Sequence, residues 1–212
     1  MHHFTLSVLG LDPTSLLNKG GLALLAAIVF AESGLLIGFF LPGDSLLFIA
    51  GFLSSKAGGN VLPALPWVLL CAFVAAVAGD QVGYLFGRKV GPALFTRPDS
   101  RIFRQANVQK AHAFFERHGA KTIVLARFVP IVRTFAPIVA GVGQMRYRTF
   151  LMFNLIGGLL WAVGVTTLGY FLGETSFVKN NIELASIAIV ALSLLPVAIE
   201  FMRHRRAAET AL

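Results

Sequence analysis

Long apolar runs set out the chain. Gly20 to Leu53 is the first, 34 residues whose only charges are Glu32 and Asp44. As one helix it would measure about 51 Å, against a hydrocarbon core of about 30 Å. It must break or fold back, and Glu32-Ser33-Gly34 and Pro42-Gly43-Asp44 are the natural places. The pattern predicts two short helices that turn at depth, a re-entrant hairpin over about 20–53. A loop of Ser, Gly and Pro follows, and Trp67 stands at its end as an interfacial anchor. Residues 67–86 then predict a membrane helix of ordinary length, with Asp80 and Gln81 near its far end.

The next apolar run, Thr122 to Gly143, holds Arg127, Arg133, Pro130 and Pro137. An arginine at the middle of a membrane helix costs about 2.5–3.5 kcal/mol on insertion scales. Each proline removes a backbone donor. Broken backbone at membrane depth is tolerated where protein buries it or a wet cavity receives it. This segment therefore predicts a second re-entrant hairpin, about 122–143, holding two cations in a polar pocket. Pro42 and Gly43 mark the break of the first hairpin, and Pro130 and Pro137 those of the second. Phe150 to Leu172 predicts a crossing helix with Asn154 and Trp161 inside it, and Ile182 to Met202 a last one. Residues 1–19 are mildly apolar, with Asp12-Pro13-Thr14-Ser15 as a helix start, and read as an interfacial segment. They lack the basic region and cleavage site of a secretory signal.

Composition agrees with a membrane protein. The chain is 56% hydrophobic and 13% charged, with mean hydropathy +0.76, against about 25% charged residues in soluble domains. The net charge of +8 would suggest nucleic acid in a soluble protein. Here the positive-inside rule accounts for it. Residues 88–121 carry eight basic side chains against Asp99 and Glu116, so this loop is expected to be cytoplasmic, as is the basic tail 203–212. A crossing by 122–143 would put strong positive charge on both sides, because Arg146 and Arg148 follow at once. Re-entry keeps it on one side.

Two parts of the chain resemble each other. Phe40-Leu41-Pro42 with Ile49-Ala50-Gly51 parallels Phe128-Val129-Pro130 with Val139-Ala140-Gly141, and Val82-Gly83-Tyr84-Leu85-Phe86-Gly87 parallels Leu168-Gly169-Tyr170-Phe171-Leu172-Gly173. A unit of one hairpin plus one crossing helix must be followed by an inverted copy. Inverted repeats with broken helices are a transporter signature. The expected fold is an all-α integral membrane protein: an inverted repeat of re-entrant hairpin plus transmembrane helix, with an extra C-terminal transmembrane helix.

Glu32, Asp44, Arg127 and Arg133 are the ionisable residues in the two hairpins. Two acids and two bases can neutralise one another at depth. Arg127 and Arg133 offer planar donors suited to phosphate. Glu32 and Asp44, partly desolvated, are placed to take up protons in the working pH range. The competing reading is a fixed ion-pair network, but stability alone rarely justifies buried ions. Asp80 with Arg88 reads either as an end-of-helix polar cluster or as support for the site.

Signals for an enzyme are poor. No Gly-x-Ser-x-Gly, His-Glu-x-x-His, Walker or Gly-x-Gly-x-x-Gly motif is present, and no cofactor or metal is expected. Cys71, the single cysteine, excludes an internal disulfide.

Over about residues 20–175 the chain resembles the DedA family, the bacterial branch of the SNARE-associated Golgi (VTT-domain) membrane proteins. The resemblance rests on Phe30-Ala31-Glu32-Ser33-Gly34, Leu41-Pro42-Gly43-Asp44-Ser45, Gly79-Asp80-Gln81-Val82-Gly83-Tyr84-x-x-Gly87-Arg88-x-x-Gly91 and Ala126-Arg127-Phe128-Val129-Pro130-Ile131-Val132-Arg133-Thr134. It implies two opposed re-entrant hairpins, a bacterial inner-membrane location and dependence on the proton motive force. It also implies essential roles at Glu32, Asp44, Arg127 and Arg133. Some family members are implicated in recycling undecaprenyl phosphate, and eukaryotic relatives scramble phospholipids. The expected function is proton-motive-force-dependent flipping of an anionic lipid, with lipid and protons as partners, no nucleic acid, and a homo-oligomer left open. The alternatives are a proton-coupled small-ion antiporter and a non-transporting membrane-organising protein.

Overall fold

A computed structural model describes residues 13–35, 43–95 and 119–175. The described residues are helical, without strands. In chain order they form α1 (Pro13–Gly34), α2 (Gly43–Leu53), α3 (Leu65–Phe95), α4 (Lys121–Ala126), α5 (Pro130–Val142), α6 (Tyr147–Gly158), a π-helical turn (Leu159–Val163) and α7 (Gly164–Gly173). The C-terminal helix expected at 182–202, the basic tail and most of the basic loop lie outside the described residues, as does Pro42.

α1 begins at Pro13, inside the segment expected to be interfacial, and bends at Gly21. That residue has φ 54° and ψ −146°, a conformation that only glycine adopts without strain. α1 ends at Gly34 and α2 opens at Gly43. Asp44 in the first turn of α2 suits the positive end of the helix dipole.

The second segment breaks at one of the two expected prolines. The chain leaves helical geometry at Val129 (φ −116°, ψ 106°), and Pro130 starts α5. A residue before proline is driven to extended geometry and proline suits a helix start. Pro137 does not break the chain: it lies inside α5. Its fixed φ is compatible with a helix, and its ring lies beside Gly83, where a Cβ would sit 3.3 Å away. The lost donor leaves the Arg133 carbonyl without its usual i+4 partner.

Among the described residues, two stretches are long and apolar enough to cross a membrane: Leu65–Val90, 26 residues, and Tyr147–Gly173, 27 residues. At 1.5 Å per residue each spans about 40 Å. α3 continues past Phe86 to Phe95, so Arg88 and Lys89 belong to the helix and not to the loop.

Close approach at glycines fixes the packing. α2 lies against α7, and α5 against α3. At Gly51 a Cβ would collide with the Thr166 carbonyl, and at Gly169 with that of Phe48. At Gly141 it would collide with the Tyr84 carbonyl, and at Gly87 with that of Ile138. Large apolar side chains such as Leu70, Val74, Phe86, Leu159 and Phe171 are exposed, whereas Glu32, Asp44, Asp80, Arg127, Arg133 and Asn154 are buried. Apolar outside and ionic inside is the arrangement a lipid solvent demands.

Candidate functional site

The ionic interior consists of two linked clusters. In the first, Arg133 of α5 reaches two carboxylates, Glu32 near the end of α1 and Asp44 at the start of α2. Its Nη1 donates to Asp44 Oδ1 at 2.6 Å, and its Nη2 donates to Glu32 Oε1. Glu32 ends α1 and Asp44 opens α2, so one guanidinium ties together the two sides of the first break. Gly43 leaves room for this, because a Cβ there would overlap the Glu32 carboxyl.

In the second, Arg127 stands in the turn between α4 and α5. Its Nη2 donates to Asp80 Oδ2 of α3 and, at 2.5 Å, to Asn154 Oδ1 of α6. Asn154 is itself anchored, its Nδ2 donating to the Val77 carbonyl at 3.3 Å. Gly157 gives the Arg127 stem its space: a Cβ there would lie 2.8 Å from Cδ.

Trp161 joins the clusters. Its Nε1–H donates to Asp44 Oδ1 at 2.8 Å. The guanidinium carbon of Arg133 lies 4.6 Å from the indole centroid and that of Arg127 5.9 Å, within the range of cation–π attraction. Each arginine keeps a buried Nε–H without a hydrogen-bond partner. Five ionisable side chains, Glu32, Asp44, Asp80, Arg127 and Arg133, thus meet where no more than 9% of any of their side chains is exposed.

Comparison with known proteins gives this arrangement a family. The VTT domain family matches residues 41–171. The chain is 50% identical over 189 residues to protein DedA of Escherichia coli K12, covering 89% of this chain and 85% of the relative.

The chain belongs to the DedA family of VTT-domain membrane proteins.

This DedA-family chain is also 50% identical over 184 residues to an uncharacterized membrane protein of Mycobacterium tuberculosis H37Rv (87% and 80% coverage). It is 38% identical over 174 residues to inner membrane protein YqjA of E. coli K12 (82% and 76% coverage). No solved structure matches it. The VTT match takes in Asp44, Asp80, Arg127, Arg133 and Trp161, while Glu32 precedes it.

The four hairpin residues singled out from sequence do converge, but as two clusters with separate partners. Asp80 does not pair with Arg88. Eight residues along a helix separate them by about 12 Å, beyond side-chain reach. Arg88 is exposed, and its Nη1 lies 3.4 Å from the Tyr84 hydroxyl, one turn back. Asp80 instead takes Arg127. Two participants were not assigned a role from sequence, Asn154 and Trp161. Each carried a signal: a polar amide in the middle of an apolar helix, and a tryptophan at membrane depth where interfacial placement is the rule. Among the described residues no group of His, Cys, Asp and Glu could hold a metal ion.

Proposed function

We propose that the chain moves an anionic lipid, undecaprenyl phosphate, from the outer to the cytoplasmic leaflet of the bacterial inner membrane, driven by the proton motive force. The observation that carries this reading is the Arg133 fork held by two carboxylates from opposite sides of a break in the chain. An arginine fork fits phosphate as well as it fits carboxylate. A phosphate monoester head group entering the pocket takes the place of Glu32 and Asp44 on Arg133, and protons taken up by the released carboxyls keep the buried charge low. Arg127 supplies a second cation beside the same indole, and the unpaired Nε–H of each arginine is a further donor. Lipid tails remain in the bilayer while the head group passes.

The architecture proposed for this step is an inverted repeat of re-entrant hairpins. Its support is the reciprocal packing: Gly51 of the first unit abuts Thr166 and Tyr170 of the second, and Gly141 of the second abuts Tyr84 and Arg88 of the first. Gly51 and Gly141, like Tyr84 and Tyr170, are matched positions in the sequence repeat. Broken helices facing one another in such repeats form the sites of many transporters. The name of the YqjA relative, an inner membrane protein, supports the location.

The test is head-group movement of undecaprenyl phosphate in proteoliposomes, with and without a pH gradient, for wild type and Arg133→Ala. Movement that needs Arg133 and follows the gradient supports the proposal. Gradient-independent movement of many phospholipids would make the protein a scramblase. A folded wild type that moves no lipid would leave a small-ion antiporter or a membrane-organising role.

A further inference from the structure

We propose that Trp161 is a positioning residue for the anion site: its indole N–H keeps Asp44 satisfied while Arg133 exchanges that carboxylate for phosphate. The inference rests on the reading of Arg133 as the phosphate-binding group.

The chain has two tryptophans, and they sit in opposite settings. Trp67 is 63% exposed at the start of α3, as an interfacial anchor would be, while Trp161 is 3% exposed among the ion pairs. A buried indole needs a partner for its one N–H. Trp161 takes Asp44 Oδ1, the same oxygen that accepts from Arg133 Nη1. One carboxylate oxygen therefore holds two donors from different helices. When Arg133 turns away, Asp44 Oδ1 still accepts the indole N–H, so the carboxyl is not left as an unpaired buried group while it takes up its proton.

The ring face does a second job. It lies against Arg133 and, farther off, Arg127. A face that attracts a cation has no directional demand on the N–H donors, so it holds the guanidinium at the site while those donors change acceptor. Nothing in ordinary helix packing requires Trp161 to sit on a π turn, yet Leu159–Val163 is one, with regular helix on both sides. Such single turns cluster at functional sites. Here the turn carries Trp161 into the interior, while Leu159 and Leu160 stay exposed.

Two measurements test the proposal. Trp67→Phe leaves Trp161 as the single emitter. In detergent micelles, dihexanoyl phosphatidic acid should change Trp161 emission saturably, dihexanoyl phosphatidylcholine should not, and Arg133→Gln should abolish the response. In proteoliposomes, Trp161→Phe keeps the ring and loses the N–H. It should lower the maximal rate of phosphatidic acid movement roughly tenfold and leave the half-saturating lipid fraction within about twofold, the sign of an interaction used during the exchange and not in ground-state binding. Trp161→Leu, which also loses the ring, should weaken both. A Trp161→Phe protein that moves lipid at the wild-type rate would overturn the proposal, as would an emission signal indifferent to phosphatidic acid. If the wild type moves no lipid, the transport reading falls. The emission titration then decides alone: a saturable response that needs Arg133 supports the positioning role, and no response overturns it.

Discussion

Breaking the Asp80–Arg127 pair one partner at a time should cost far more than removing both. The two side chains are 5% and 4% exposed. Removing one member of a buried ion pair leaves a charge with no counterpart and costs about 3–5 kcal/mol, whereas replacing both by apolar groups of similar volume is often neutral. The two single variants should differ. In Asp80→Leu, Arg127 retains Asn154 Oδ1 at 2.5 Å, a hydrogen bond to a charged donor that offsets about 1 kcal/mol, so the expected loss is about 2–4 kcal/mol. In Arg127→Met, Asp80 loses the guanidinium that holds it, and the loss is about 3–5 kcal/mol. The double variant should lose about 1 kcal/mol or less, which makes the coupling about 4 kcal/mol or more. For a chain of this size a change of 3 kcal/mol moves the melting temperature by about 6–12 °C. Cys71, the single cysteine and half-buried, supplies the assay: a fluorogenic maleimide reports its exposure as the protein is heated in detergent. Additive losses, with coupling below about 0.5 kcal/mol, would refute the reasoning and show that the pair is not desolvated.

Three further outcomes follow from the same geometry. Arg133→Lys keeps the charge but can no longer address Glu32 and Asp44 with two fixed donors; lipid movement should fall at least about tenfold in a protein that still runs as a folded species in size-exclusion chromatography. Gly51→Leu and Gly141→Leu each force a side chain onto the backbone of a neighbouring helix and should lower stability by about 1–3 kcal/mol, with similar melting shifts if the two contacts are equivalent. Tyr84→Phe removes the hydroxyl that donates to the Met145 carbonyl at 2.5 Å; the loss should be about 1–2 kcal/mol, read from the same thermal assay.

Helix breaks and buried charge were legible in the sequence because they depend on local pattern. A 34-residue apolar run must break, and Glu32 with Gly34 and Gly43 with Asp44 mark where α1 ends and α2 starts. Arginines flanking a proline inside an apolar run announce a buried polar site. Partnership was less legible, because it depends on which helix faces which. Asp80 was grouped with Arg88 at the end of its helix, but its partner is Arg127, brought near by the packing of α5 on α3 and of α4 on α6. Asn154 and Trp161 lie on the stretch from α6 to α7, where a π turn carries Trp161, and the partners they meet there belong to other helices. Pro137 looked like a break by residue type, but its fixed φ is compatible with a helix and α5 runs through it from Pro130 to Val142.

The most direct test of the central claim measures protons and lipid together. Proteoliposomes holding a trapped pH dye and a phosphate-headed lipid on one leaflet would report both as the lipid is moved. The account predicts proton movement in step with lipid movement, both lost in Arg133→Ala, and lipid movement uncoupled from the gradient in Glu32→Gln and Asp44→Asn. Lipid movement at the wild-type rate in all three variants, with no accompanying protons, would contradict it.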